Sequence, residues 1–285
     1  MQQPFPIREA EKLLQEEWDV DCLPVNPIEI ATHCGITCQE MPSSKGGVSG
    51  MLIQHGDSFG ILYATHIPVV GFQHFSVAHE LGHYWLPKHP ENVFTQGVHQ
   101  SNSGFSSDDK YEKEADQFAC GLLMPSYLFD PELDKAGTGM DAIIHLRQLC
   151  DTSLTATAIR YAQRNSEPTA IVVSKNGVVE YCFMSHELKY ASGINFLRKG
   201  MQVPRGTKTK AMTMQQVADC SRAEGDSDLV TWFKADKDAE IYEEVLGLGS
   251  YGRTLTVLSC ENLPDAEEER EEEELEESWT PKFRR

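Results

Sequence analysis

The chain has 285 residues, enough for one large or two modest domains with cores of their own. Its formal net charge of −19 argues against nucleic-acid binding through the bulk surface, and no apolar run approaches membrane-spanning length. The eight cysteines, at 22, 34, 38, 120, 150, 182, 220 and 260, show no paired spacing, so buried reduced thiols are expected rather than a disulfide framework or a cysteine metal site.

The first residues, Met1-Gln-Gln-Pro-Phe-Pro-Ile-Arg8, lack the basic-then-apolar profile of a signal peptide, and a cytoplasmic protein is expected. Ile7 to Trp18 reads as an amphipathic helix, with Ile7, Ala10, Leu13 and Leu14 on one stripe. Leu23-Pro-Val-Asn-Pro27 is a turn, and Pro27 then opens a short helix over 28–34, closed by Gly35. His33 reads as a helix-end histidine. Gly46 to Gln54 and Phe59 to Tyr63, joined by His55-Gly-Asp-Ser58, alternate like the arms of a β-hairpin. Extended substrates often add to an exposed sheet edge, so this hairpin is expected to offer a peptide-binding edge.

Pro68 to Gly71 leads into the most informative stretch, Phe75-Ser-Val-Ala-His79-Glu80-Leu-Gly-His83-Tyr-Trp-Leu86. His79 and His83 are four apart, which on a helix puts both rings on one face and within reach of one metal ion. Glu80 is turned by about a quarter of a revolution, near such an ion yet free to take a proton from water. The flanking Val77, Ala78, Leu81, Gly82, Tyr84 and Trp85 are uncharged, as a buried active-site helix requires. Neutral imidazole is a good zinc ligand, and a catalytic zinc with three protein ligands keeps its fourth position open. His66 and His74 precede the motif and read as surface or packing residues. His89 and His99 fall in the following loop, where either is a candidate for transition-state stabilisation without any spacing to support it.

A third ligand is expected from another helix. Tyr111-Glu112-Lys-Glu114-Ala-Asp116-Gln-Phe118 begins one that Pro125 ends. Glu112 and Glu114 are the candidates, and they point about 200° apart, so both cannot face one ion. Glu112 is preferred because Asp116, one turn on, shares its face and can accept the outer N–H of a metal-bound histidine.

His79-Glu-Leu-Gly-His83, followed by Glu112-x-Glu-Ala-Asp116-x-Phe-Ala-x-x-Leu-Leu-Met-Pro125, resembles the ImmA/IrrE family of zinc metallopeptidases. The resemblance runs from Leu23 to about Arg164. It implies a gluzincin-like site: Zn2+ on His79, His83 and Glu112, with Glu80 as general base. It also implies hydrolysis of a peptide bond in a regulatory protein, such as a DNA-binding repressor or an antitoxin. Asp116 stands where the family usually shows Asn, and either can accept the hydrogen bond. The rival reading is a regulatory or interaction protein that uses the peptidase fold as a binding platform, in which Glu80 would have no role.

Beyond Pro125 a helix is expected to begin near Phe129-Asp-Pro-Glu132, with amphipathic helices over 141–149 and 155–165, the latter capped by Ser153 or Thr155. The last two resemble a helix-turn-helix, but the second offers only Arg160 and Arg164, so packing rather than DNA reading is expected. Thr169 to Ser174 and Val178 to Phe183 flank Asn176-Gly177 as a hairpin, and Ile241–Leu246 and Thr254–Ser259 read as strands. Met212–Cys220 and Leu229–Phe233 are ambiguous. From Asp265 to Glu277 the chain is almost entirely acidic.

The expected fold is therefore α+β. A zincin-like metallopeptidase domain (1–130) precedes a helical, helix-turn-helix-like stretch (131–167). A smaller α+β or mainly β domain (168–262), sensory or partner-binding, follows, and then an acidic disordered tail (263–285). A protein substrate is the expected partner, with no direct nucleic-acid binding and no membrane.

Overall fold

The computed structural model describes residues 3–41, 47–94, 97–102, 109–191, 193–236, 238–261 and 263. The acidic run 265–277 lies outside them. The chain divides into two compact units, the first comprising 1–137 and 141–160, the second 138–140 and 161–285. Both mix helix and sheet, an α+β architecture with a sheet-rich C-terminal half.

The first unit opens with α1 (Phe5–Glu16), whose Ile7, Ala10, Leu13 and Leu14 are buried as their stripe demands. α2 (Pro27–His33) follows, capped by the Asn26 side chain, which accepts from the Ile28 and Glu29 amides. Next come β1 (Thr37–Met41), β2 (Val48–His55) and β3 (Ser58–Ala64), then α3 (Val70–Trp85), α4 (His89–Val93), β4 (Val98–Asn102) and α5 (Lys110–Leu123). The four strands lie in the order β1-β3-β2-β4, with β1 parallel to β3 and the other pairs antiparallel. The β2–β3 hairpin is therefore interior to the sheet, not an exposed edge. Among the described residues the edges are β1 and β4. The reason is that β1 and β4 carry too little apolar alternation to announce themselves, yet backbone pairing needs none.

α3 is buried along nearly its whole second half, from Ser76 to His83. It lies against β2, β3 and α5, which explains why its flanks are uncharged. Gly82 marks its closest approach to α5: a Cβ there would sit 3.1 Å from the Ala115 Cα and 3.2 Å from the Phe118 Cβ. That crossing sets the ends of α5 relative to the histidines of α3.

α6 (Ser126–Ala136) starts at Ser126, earlier than Phe129, and holds Pro131 within it. Its start is fixed from a distance. The Glu11 carboxylate on α1 accepts from the Ser126 amide at 2.7 Å and from its hydroxyl at 2.9 Å. α7 (Gly139–Cys150) and α8 (Leu154–Arg164) follow, and Ser153 Oγ accepts from the Ala156 amide as a cap. Arg160 is only 1% exposed. Its guanidinium donates to the Met124 carbonyl at 3.0 Å, to Gln3 at 3.1 Å and to Glu11 at 3.1 Å. One of the two arginines on this helix is thus a buried brace for α1, and α8 does not offer it to DNA.

The second unit is built on an antiparallel sheet ordered β6-β5-β9-β8-β7. Its strands are β5 (Thr169–Lys175), β6 (Val178–Met184), β7 (Arg222–Asp228), β8 (Glu240–Gly247) and β9 (Arg253–Ser259). Asn176 and Gly177, at φ 52° and 72°, make the β5–β6 turn. The ambiguous segments are helical at Met214–Ala218 and Leu229–Phe233. β7, with the sequence Arg-Ala-Glu-Gly-Asp-Ser-Asp, has no apolar alternation and is held by its ladder with β8. All eight cysteines are free thiols, but Cys22 and Cys220 are exposed rather than buried. Burial pushes the Cys150 and Cys182 thiols up to about 12, far from the reactive thiolate.

Candidate metal centre

Helical spacing puts the two histidines of α3 one turn apart, and the fold brings an acid to them. His79 Nε2 and His83 Nε2 lie 3.0 Å apart. Glu112, in the first turn of α5, places Oε2 3.4 Å from His79 Nε2 and Oε1 3.4 Å from His83 Nε2. Three ligands about 2.0–2.1 Å from a common tetrahedral ion would be about 3.3 Å from one another, so this donor set has the right spread. Glu114 faces elsewhere, toward His89 and Lys110. Asp116 Oδ1 lies 2.9 Å from His79 Nδ1. A carboxylate only accepts, so His79 Nδ1 carries a hydrogen, and Nε2, toward Glu112, is the nitrogen that would ligate an ion.

The structure adds His99, which the sequence left in a loop. It stands on β4, where Leu52 of β2 is its cross-strand partner and Ser101 the partner of Gly50. The period of two puts His99 and Ser101 on one face. His99 Nε2 lies 3.2 Å from Glu112 Oε1 and 3.1 Å from Ser101 Oγ, and the His83 and His99 ring centroids are 4.2 Å apart. Ligand atoms of His79, His83, His99 and Glu112 all fall within 4.8 Å of one another. Nothing in Val98-His-Gln-Ser-Asn102 signals a strand, so only pairing with β2 could reveal this residue. His89 is likewise not in a loop but opens α4, wholly buried. Neither the exposed His66 nor the half-buried His74 joins the cluster.

Glu80 is 0% exposed, and its carboxylate lies against β2 at Gly50, where a Cβ would be 2.6 Å from Oε1. Neither oxygen makes a hydrogen bond of ordinary geometry among the described residues, although the Ser101 hydroxyl is within its electrostatic reach. A buried carboxylate without a donor is costly and asks for a partner such as water or a cation.

Residues 32–161 match the model of a peptidase family described as the IrrE N-terminal-like domain. This segment is an IrrE-like domain of the ImmA/IrrE family. It contains every residue of the cluster. A Mycobacterium tuberculosis transcriptional regulator of known structure is similar in fold, with a TM-score of 0.59 at 14% identity over 90% of this chain and 75% of that one. No curated protein matches the chain in sequence. Among the described residues, no helix is long and apolar enough to cross a membrane.

The electrostatics of the IrrE-like site fit a bound cation. Burial pulls the His83 imidazole down to about 3, so it is neutral, the form that ligates metals. Burial acts the same way on His79, but its hydrogen bonds to Asp116 and Glu112 outweigh that and hold it up at about 10. Burial raises Glu112 too, yet contacts with His79, His83 and His99 keep its carboxyl well below the usual carboxylate range. Two ring nitrogens at 3.0 Å beside an ionised carboxylate need positive charge between them. A proton on His79 meets that need, and so would a divalent ion. Burial raises the Glu80 carboxyl, moving it toward the range of a general base.

Proposed function

We propose that this chain is a zinc-dependent endopeptidase that cuts a regulatory protein of the class of DNA-binding repressors or antitoxins. The observation that carries the reading is Glu80, a wholly buried carboxylate with no ordinary hydrogen bond, on the same helical turn as two inward-facing imidazoles. A binding platform has no use for such a group, whereas proton transfer requires it. His79 and His83 would hold the ion through Nε2, and Glu112 through its carboxylate. Zinc in such a site supplies a Lewis acid and lowers the pKa of water to about 7. Glu80 accepts a proton on its carboxylate as water attacks the scissile carbonyl, then returns that proton to the leaving amine. Asp116 keeps His79 in its ligating tautomer throughout. Of the two sheet edges, β4 carries His99 into the site, so an extended substrate would add beside β4.

The test is Glu80→Gln. Zinc content should stay at the wild-type level while cleavage of candidate repressors, and its suppression by a chelator, disappear. Normal cleavage by Glu80→Gln would refute the assignment.

His99 supports a second reading. If it completes a four-ligand closed site, the ion is structural and the chain is a regulatory or binding protein. X-ray absorption of the zinc form separates the two, since the peptidase keeps one ligand position for solvent. His99→Ala should retain the metal if the site is catalytic.

A further inference from the structure

A second buried imidazole stands behind His83. His89 follows Lys88, whose left-handed backbone (φ 70°) turns the chain inward at the start of α4. Its ring is 0% exposed and stands edge-on to Tyr111, with centroids 5.0 Å apart. His89 Nδ1 lies 3.1 Å from His83 Nδ1, and His89 Nε2 lies 3.1 Å from Glu114 Oε2.

The hydrogens along this line can be counted. The Glu114 carboxylate only accepts, so His89 Nε2 carries a hydrogen. A neutral imidazole has one N–H, so His89 Nδ1 is a bare acceptor. Two bare nitrogens would repel at 3.1 Å, so His83 Nδ1 must be the donor across that contact. His83 then has nothing on Nε2, the atom 3.0 Å from His79 Nε2 and 3.4 Å from Glu112.

We propose that His89 and Glu114 form a positioning relay that locks His83 in the Nδ1–H tautomer and so makes its Nε2 a metal ligand. The relay rests on the metal-centre reading above. Which nitrogen of an imidazole is free to ligate is set by the hydrogen bond that the other one makes. Asp116 does this for His79 directly. Glu114 stands about 200° around α5 from Glu112, so it reaches the centre only through an intervening ring. The two acids beyond Glu112 on α5 thus each set one histidine of α3.

The full-length protein, labelled with 15N-histidine and stripped with a chelator, should show His83 as the Nδ1–H tautomer in long-range 1H–15N correlation spectra. His89→Phe keeps a ring beside Tyr111 but removes the acceptor. It should lower zinc affinity ten- to hundredfold in competition with a chromophoric chelator, the range usual for losing such a partner. His89→Gln, which restores an acceptor, should recover part of the loss. Wild-type His83 protonated on Nε2, or unchanged zinc affinity in a folded His89→Phe protein, would overturn the relay. Should His89→Phe not fold, Glu114→Ala on the partly exposed face of α5 carries the test by the same two readouts, and unchanged tautomer and affinity there would overturn it. His79→Ala is the control. If it too leaves zinc affinity unchanged, the metal centre itself is wrong. If it abolishes binding while the relay variants do not alter it, only the relay fails.

Discussion

Gly50→Ala isolates the placement of Glu80 from the rest of the site. The added Cβ would lie 2.6 Å from Glu80 Oε1, and ordinary contact begins near 3.4 Å, so the carboxylate must retreat by about 0.8 Å. No left-handed backbone is required at this strand position, so alanine is otherwise tolerated. Overfilling a close-packed site costs about 1–3 kcal/mol. Loss of glycine's freedom in the unfolded chain returns about 0.4–1 kcal/mol. The net destabilisation should therefore be no more than about 2.6 kcal/mol, small enough to leave the protein folded. Activity should suffer far more, because a misplacement of about 1 Å costs on the order of a hundredfold, or about 2.7 kcal/mol of barrier. The assay is kcat/KM on a library of internally quenched peptides, with zinc content and thermal unfolding measured on the same preparation. The reasoning is refuted if Gly50→Ala turns over like wild type, or if zinc is lost along with activity.

Gly82→Ala should push α3 and α5 apart by a few tenths of an ångström, since the new methyl meets Ala115 backbone at 3.1 Å. Weaker zinc binding, read by chelator competition, is expected because Glu112 rides on α5 one turn before Ala115. Arg160→Ala takes the paired cation from Glu11, which keeps its neutral donors on Ser126, and takes the guanidinium donor from the Met124 carbonyl; it should cost about 3–5 kcal/mol in chemical denaturation. A small loss there would show that the brace is dispensable. The metal-free protein should also lose stability as pH rises. His79 is held at about 10 in the folded chain against 6.5 unfolded, so its contribution is complete below about pH 6.5 and gone above about pH 10. Denaturation of chelator-treated wild type and His79→Gln across that range should show a slope in the former that the latter lacks.

The parts legible in the sequence are those governed by local periodicity. The 3.6-residue repeat put His79 and His83 on one face, and the same repeat paired Glu112 with Asp116 four residues later. Asn176-Gly177 announced its turn because few residues accept φ > 0 twice in succession. His99 was not legible, because β4 has no apolar alternation and exists through backbone pairing with β2. The start of α6 is hidden for a related reason, since the carboxylate that accepts from its first amide is that of Glu11, distant in sequence. The hairpin over 48–64 was visible, but its interior place in the sheet was not, because strand order depends on segments that pair from either side.

By itself, then, the amino-acid order determined which helices carry the ligand types and which faces those side chains share, because rise and twist per residue are properties of the local backbone. The same repeat favoured Glu112 over Glu114, but only the tertiary structure decided that α5 brings Glu112 to both imidazoles, that His99 arrives from a neighbouring strand, and that Glu80 is sealed against Gly50. Those outcomes depend on the close crossing of α3 and α5 at Gly82 and on the ladder between β2 and β4. Both bring together residues far apart in the chain, where no repeat in the sequence can reach.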